Sequence, residues 1–192
     1  MLDLEQLLQQ AKAGELTPRE IGLVEESLAE GLSGSDAYRA LMIVGMVAAP
    51  ARNTDVVARY LDDRDPTVAA QALHVLSDVW GRARDHRDAM LRLLRGIPGD
   101  EAGHATTQAL NSAARYLHGT PEWDATDRQI FTAIIDVALD ELRLPAQRMH
   151  AAVCLRNVMP PSPDENGRPM PGTSEFDRVI LASWEYLGEG EH

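Results

Sequence analysis

The sequence predicts an all-α protein built from stacked helix pairs, and three observations carry that prediction. Segments 66–79 and 145–158 share one pattern: proline first, alanine six residues later, leucine four beyond the alanine and valine three beyond the leucine. Weaker copies surround Ala40 and Ala109, so that the four alanines recur at intervals of 32, 37 and 42 residues. Aromatic residues make up only 5% of the chain, whereas helix-favouring alanine, leucine, arginine and glutamate are plentiful. A recurrence of about 30 to 45 residues on amphipathic helices is typical of stacked helical repeats.

Capping and breaking residues place the first helices. A leading helix is expected over residues 2–13, because Gly14 follows its leucine-rich face. Thr17-Pro18-Arg19-Glu20 is a capping box with proline at the first helical position, and it opens the first pair, 17–49. The second pair covers 53–80, with Asp65 expected to cap the helix that Pro66 begins.

The same signals place the remaining elements. The third pair covers 86–118, with its second helix expected from Glu101, and the fourth covers 124–159, opened by a capping-box pattern at Thr126 to Gln129. Five prolines and two glycines predict a surface loop over 160–173. A last helix over 174–187 is expected to cap the stack. We therefore expect residues 1–192 to form a single domain.

The second pair resembles a HEAT repeat. It contains Asp65-Pro66 with Val68 two residues further on, then Ala72-Leu73 and Leu76. The resemblance is good across 56–80, fair across 124–159, and weak in the first and third pairs. It implies a short right-handed solenoid with its second helices on the concave side, in a family made up mostly of binding scaffolds. The unequal spacing fits HEAT-like or armadillo-like arrays better than tetratricopeptide repeats, whose unit is nearly constant.

Charge and cysteine content exclude several classes of function. The formal net charge of −12 disfavours binding to nucleic acid or to anionic lipid surfaces. The longest apolar run, 40–50, is too short to cross a bilayer, and the acidic N-terminus lacks the features of a secretory signal. A single cysteine, Cys154, is expected on a buried helix face, which suits a reducing compartment. We expect a soluble, cytoplasmic protein that is a monomer or a weak homodimer.

Helical geometry predicts a candidate binding surface. If each second helix buries the face centred on its alanine, the positions one before, two after and six after that alanine point the opposite way. The polar residues of these rows are the candidate partner-binding residues: Arg39, Gln71, His74, Asp78, Gln108, Asn111, Arg115, His150 and Asn157. The apolar members are Met42, Met46 and Val153. The alternative interpretation is an ordinary solvated face.

Two further features are alternative partner-binding sites. Five arginines cluster in a short stretch of this acidic chain: Arg82, Arg84, Arg87, Arg92 and Arg95. Because Asp78, Asp85 and Asp88 lie among them, a set of surface salt bridges is the favoured interpretation of the cluster. Trp123 lies in a connection between pairs, where it either anchors a partner or folds back over a helix end. Trp80 and Trp184 are expected in the core.

We find no pattern typical of an active site. No His-Glu-x-x-His occurs, and a single Glu101-x-x-His104 is far from a di-iron motif. The HEAT-like deoxyhypusine hydroxylases carry His-Glu dipeptides, which are missing here, and the HEAT-like alkylpurine glycosylases carry a basic concave face, which the charge disfavours. Asp62, Asp63 and Asp65 are better explained by a turn that caps a helix than by a cation site. We expect no catalytic residues, metal or cofactor.

The sequence therefore predicts a non-catalytic module that binds another protein through its concave face, its acidic ends or the proline-rich loop. A narrower hypothesis is an acidic bacterial immunity or antitoxin-type protein that blocks a basic toxin by electrostatic complementarity. The alternative is a HEAT-like enzyme or small-ligand-binding protein with a pocket between repeats.

Overall fold

The computed structural model describes residues 2–47, 50–160 and 168–189, and all regular structure in these ranges is helical. The prediction of an all-α fold is confirmed. The helices are α1 (Leu4–Ala13), α2 (Pro18–Glu30), α3 (Gly34–Val47), α4 (Pro50–Ala58), α5 (Pro66–Leu73), α6 (Arg87–Arg95), α7 (His104–His118), α8 (Ala125–Leu139), α9 (Pro145–Val158) and α10 (Ser174–Glu189). Most of the predicted loop 160–173, namely residues 161–167, lies outside the described ranges. No helix in them is long and apolar enough to span a membrane.

Several predicted helix ends are confirmed by their hydrogen bonds. The Thr17 hydroxyl accepts from the Glu20 N–H at 3.3 Å, and the Glu20 carboxylate accepts from the Thr17 N–H at 2.9 Å, which completes the predicted capping box. Asp65 accepts from the Thr67 N–H at 2.9 Å and so caps the helix that Pro66 begins. Gly14 ends α1 at a left-handed φ of 72°, a conformation that glycine adopts without strain.

Three predicted helix starts are wrong. The helix expected at residue 53 begins at Pro50, where a proline leaves no amide hydrogen unpaired. The helix expected from Glu101 begins at His104, because a turn closed by the Gly103 N–H and the Asp100 carbonyl precedes it. The fourth pair is capped by Asp124 instead of Thr126.

The N-terminal unit comprises residues 1–86 and 98–104. In it α3 packs against α1, α2 and α5, while α2 packs against α4. First helices therefore contact first helices, and second helices contact second helices. This two-layer arrangement is compatible with a helical repeat, in which each pair covers the apolar face of its neighbour.

The C-terminal unit comprises residues 87–97 and 105–192. Its helix α8 packs against α6, α9 and α10, and α10 also packs against α9. The fully buried Phe131 and Ile134 of α8 lie in this core together with Val179 of α10. The last helix thus covers the final helix pair of the unit, as the sequence predicted. The single domain expected over residues 1–192 stays a prediction.

The four repeated alanines are core residues. Ala40, Ala72, Ala109 and Ala151 each have 0% of their surface exposed. A side chain of one methyl group allows two helix backbones to approach closely, so that the recurrence in the sequence marks the helix contacts of each unit.

A π-helical turn, His74–Val79, continues α5. Its wider backbone is closed by hydrogen bonds from the Trp80 N–H to the Val75 carbonyl at 2.9 Å and from the Arg82 N–H to the Leu76 carbonyl at 2.8 Å. The turn packs against α3, where Gly45 lies beneath Val75. A Cβ atom added at Gly45 would stand 2.8 Å from the Val75 Cγ2 atom.

Gly45→Ala is expected to destabilise the protein by about 1 kcal/mol, because overpacking against the stiff Val75 side chain outweighs the gain in helix propensity. Gly22→Ala is the matched control. It makes the same change in α2, where an added Cβ meets nothing within 4 Å, and is expected to stabilise by up to about 1 kcal/mol. Urea denaturation of both variants measures the two signs. Equal effects of the two substitutions would contradict the close contact at Gly45.

Candidate functional site

The predicted partner-binding residues divide between the two units. Arg39, Gln71, His74 and Asp78 belong to the N-terminal unit, and Gln108, Asn111, Arg115, His150 and Asn157 belong to the C-terminal unit. In the C-terminal unit four of the five predicted residues line one surface cleft of about 420 Å³ between α7 and α9. Its lining is Asn111, Ala114, Arg115, His118, His150, Val153, Cys154 and Asn157.

Each of the two helices contributes side chains from one of its faces to the cleft. On α7 each lining residue stands three or four positions from two of the others, and the same is true on α9. Such spacing places side chains above one another on one side of a helix. The opposite sides carry the buried Ala109 and Ala151. The cleft therefore lies where helical periodicity alone placed the outward rows.

A hydrogen bond joins the two walls of the cleft. The Nε2–H group of His150 donates to the Asn111 Oδ1 atom at 2.9 Å, since an amide oxygen only accepts. Burial lowers the pKa of His150 below the usual range of an imidazole, so that the ring is neutral at pH 7. Its Nδ1 atom then carries a lone pair that can accept a hydrogen bond.

The cleft carries polar side chains among apolar ones. The described residues that line it include no aspartate or glutamate, although the chain as a whole is strongly acidic. Arg115 and His118 are exposed at its edge, and Asn111 and Asn157 offer amide donors and acceptors. Burial raises the pKa of the Cys154 thiol to about 12, so that this thiol is protonated and poorly nucleophilic at neutral pH. Such a surface is suited to binding polar groups and not to nucleophilic chemistry at Cys154.

Three lining residues, Ala114, Cys154 and His118, lie outside the rows predicted from the sequence, and of these three His118 is the exposed one. It stands nine residues after Ala109, and nine steps of about 100° bring a side chain to the face directly opposite. The predicted rows extend only six residues past each alanine. Extending them by one further turn finds His118.

In the N-terminal unit, three of the four predicted residues contact other side chains of the same unit: Arg39, His74 and Asp78. The Arg39 Nε atom lies 2.7 Å from Glu5 of α1, and an Arg39 Nη1 atom lies 3.7 Å from Asp36. His74 Nδ1 lies 3.1 Å from a carboxylate oxygen of Asp78. Gln71 is half-buried. The leading helix thus occupies part of the surface that the rows predicted for a partner.

The expectation that Asp78 faces solvent is wrong. Only 4% of its side chain is exposed, whereas the next residue, Val79, is 47% exposed. The cause is the π-helical turn, which contains both residues and has more residues per turn than the α-helical geometry assumed. The assumed rotation of 100° per residue therefore fails at this position.

The arginine cluster divides between the two units. Arg82 and Arg84 belong to the N-terminal unit, where Arg82 pairs with Asp85 at 2.7 Å as the salt-bridge interpretation predicted. Arg87, Arg92 and Arg95 belong to the C-terminal unit. There Arg92 and Arg95 are exposed, and Arg95 borders a second groove of about 300 Å³ between α6 and α8.

Arg87 anchors the start of α8 and is not available for a partner. One of its Nη atoms donates to Asp124 at 2.6 Å and to Asp127 at 3.0 Å. The Arg87 guanidinium lowers the pKa of Asp124 to about 2. Folding lowers the pKa of Asp124. The stabilisation that the Arg87–Asp124 pair contributes is therefore present above the unfolded pKa of about 4, and it is lost as the pH falls towards 2.

Trp123 folds back over a helix end, the second of its two predicted roles. Its Nε1–H donates to the Leu117 carbonyl at the end of α7 at 3.4 Å, and its ring centroid lies 5.0 Å from Phe131 and 5.4 Å from Tyr186. It is not an exposed anchor. The prediction for Trp184 is wrong: it was expected in the core and is 43% exposed on α10.

Within the described ranges, no three His, Cys, Asp or Glu side chains are arranged to hold a metal ion. Comparison with known proteins identifies no relative: no protein-family profile, curated sequence or solved structure matches this chain significantly.

Proposed function

We propose that this protein is a non-catalytic protein-binding module and that the α7–α9 cleft is its recognition site. One observation carries the proposal. Asn111, Arg115, His150 and Asn157 were selected from the sequence as outward positions, and they line a single cleft. The cleft presents amide groups, a neutral imidazole and an arginine, which are side chains that bind peptide groups and carboxylates.

We further propose that the scaffold is a HEAT-like or armadillo-like repeat. The contacts between first helices and between second helices in the N-terminal unit support this assignment. The proline-led helices at Pro66 and Pro145 with their buried alanines support it as well. In such repeats the second helices form the binding face, and α7 and α9 hold that position in their pairs.

The overall charge favours a basic protein as the partner. A net charge of −12 accelerates encounter with a basic surface and repels acidic proteins. A bacterial immunity or antitoxin-type inhibitor acting in the cytoplasm is the narrower form of this proposal. Once the basic surface of the partner has docked, Arg115 at the edge of the cleft is the side chain proposed to contact a carboxylate of that partner.

A pull-down from the native source with the purified protein as bait tests the proposal. We expect one basic protein to be enriched, and its affinity to fall at least about tenfold in Arg115→Ala. The control is Arg19→Ala, which removes another exposed arginine, on α2 outside the cleft. Raising the ionic strength should weaken the binding of a basic partner further.

Measurements on a further variant can overturn the proposed site. If Arg115→Ala binds like wild type while a double change of Arg92 and Arg95 to alanine abolishes binding, the recognition site lies on α6. If both retain full affinity, the partner binds elsewhere and the cleft is not its site.

Binding of a small ligand is the second candidate function, because the cleft lies between the second helices of two successive pairs and has a volume of about 420 Å³. A small-molecule screen followed by NMR would test it. A ligand in the cleft is expected to shift the imidazole resonances of His150 while leaving those of the distant exposed side chains unchanged.

A further inference from the structure

The exposed side of α10 carries two large apolar side chains. Leu181 is 60% exposed and Trp184 is 43% exposed, and their spacing of three residues places them on one side of the helix. The opposite side, with Phe176, Val179 and Ser183, is buried in the C-terminal unit. The helix therefore carries two apolar stripes, and the second, Leu181 and Trp184, is uncovered among the described residues.

Charged residues flank the uncovered stripe, and their order along the helix indicates which kind of partner helix would match it. Arg178 and Glu185 are both exposed, and they stand seven residues apart on the same flank of Leu181 and Trp184. In an antiparallel helix pair, Leu181 of one helix can lie against Trp184 of the other. The same register places Arg178 of each helix opposite Glu185 of its partner, since both lie between the same two contact layers.

The pattern of apolar and charged residues on α10 is complementary to itself. A two-fold axis repeats every contact, so that a second copy of α10 supplies two Leu181–Trp184 contacts and two Arg178–Glu185 ion pairs. The exposed Gly188 at one end of the stripe faces Asp177 of the other helix and lets the two backbones approach there. A different protein would need to reproduce this pattern, whereas a second copy contains it already.

We propose that the uncovered face of α10, formed by Leu181, Trp184, Arg178 and Glu185, is a homodimer interface in which two α10 helices pair antiparallel. The contact is small, so that the dimer dissociates on dilution. The proposal is independent of the recognition cleft, because no α10 residue is among the described residues that line that cleft.

Sedimentation equilibrium of the purified protein over a range of concentrations tests the interface. Wild type is expected to show a reversible monomer–dimer equilibrium, and Leu181→Glu is expected to weaken dimerisation at least about tenfold. The matched control is Leu142→Glu, which places the same charge on a leucine that is 97% exposed in the α8–α9 connection. It should leave the dissociation constant unchanged.

Charge reversal tests the register. Arg178→Glu and Glu185→Arg should each weaken self-association, because each places like charges opposite one another twice. Mixed in equal amounts, the two variants should form a heterodimer with wild-type affinity, since each interface then regains two opposite-charge pairs. Both substitutions are exposed, and circular dichroism establishes that the variants remain folded.

Three results would overturn the proposal: a wild-type protein that is monomeric at every concentration, a dimer that persists in Leu181→Glu, or a mixture of the two charge-reversed variants that associates no better than either alone. Loss of the dimer in Leu142→Glu instead would place the interface at the α8–α9 connection.

Discussion

Asp127→Ala is expected to destabilise the protein by about 3 kcal/mol, because it breaks a buried hydrogen-bond network that surrounds one carboxylate. Asp127 is only 1% exposed. One of its carboxylate oxygens accepts from Arg87 at 3.0 Å and from the Tyr116 hydroxyl at 2.8 Å, and the other accepts from the Asp124 N–H at 3.0 Å. Truncation removes all three hydrogen bonds at once and leaves the partly buried Arg87 guanidinium with one anionic partner fewer.

Chemical denaturation of wild type and variants measures this effect. Asp136→Ala is the matched control, because Asp136 lies on the same helix and is exposed; its effect should stay within about 0.5 kcal/mol. Asp127→Asn keeps the shape and one acceptor oxygen, and its cost should fall between those two values. An Asp127→Ala variant as stable as the Asp136→Ala control would show that this carboxylate does not anchor α8.

Ala72→Leu is expected to destabilise the protein by about 2 to 3 kcal/mol, towards the upper end of the range for an overpacked core. Ala72 is fully buried in α5, which packs against α3. Three additional carbon atoms at this position fit only if the two helices move apart or side chains leave their preferred rotamers. Because each repeat is stabilised mainly by its neighbours, the loss should extend to the whole N-terminal unit.

The same substitution at an exposed alanine is the control for Ala72→Leu. Ala146 lies in the first turn of α9, on the surface, and Ala146→Leu should change stability by no more than about 0.5 kcal/mol. Thermal unfolding followed by circular dichroism compares the two variants. A midpoint for Ala72→Leu that matches wild type would contradict the close approach of α5 to α3.

The candidate cleft could be predicted in part because helical periodicity is a local property. Counting steps of 100° from Ala109 and Ala151 selects Asn111, Arg115 and His150 without any knowledge of packing. The method fails where the backbone departs from the α-helix. Asp78 lies in the π-helical turn, and it is buried although the same count placed it in solvent.

Arg39 shows a second reason for failure. Its helix face was predicted correctly as outward, but the leading helix brings Glu5 to within 2.7 Å of it. The two residues are 34 positions apart in the chain. No spacing rule relates residues at that distance, because a turn of helix couples only those three or four apart.

The sequence by itself determined the helical class, most of the helix ends and the identity of the core alanines. These features depend on contacts within one helical turn: a capping side chain bonds an amide two or three residues away, and an amphipathic period selects the buried face. Thr17, Asp65 and Ala151 could therefore be assigned from their neighbours in the chain.

Only the tertiary structure decided which polar and aromatic side chains are hydrogen-bonded or packed inside each unit. Arg87 pairs with Asp127, 40 residues away, Trp123 packs against Tyr186, and Trp184 remains exposed on the last helix. Each outcome depends on which helices become neighbours when the chain collapses. That choice is made by the summed burial of many apolar side chains, and no single residue or short motif encodes it.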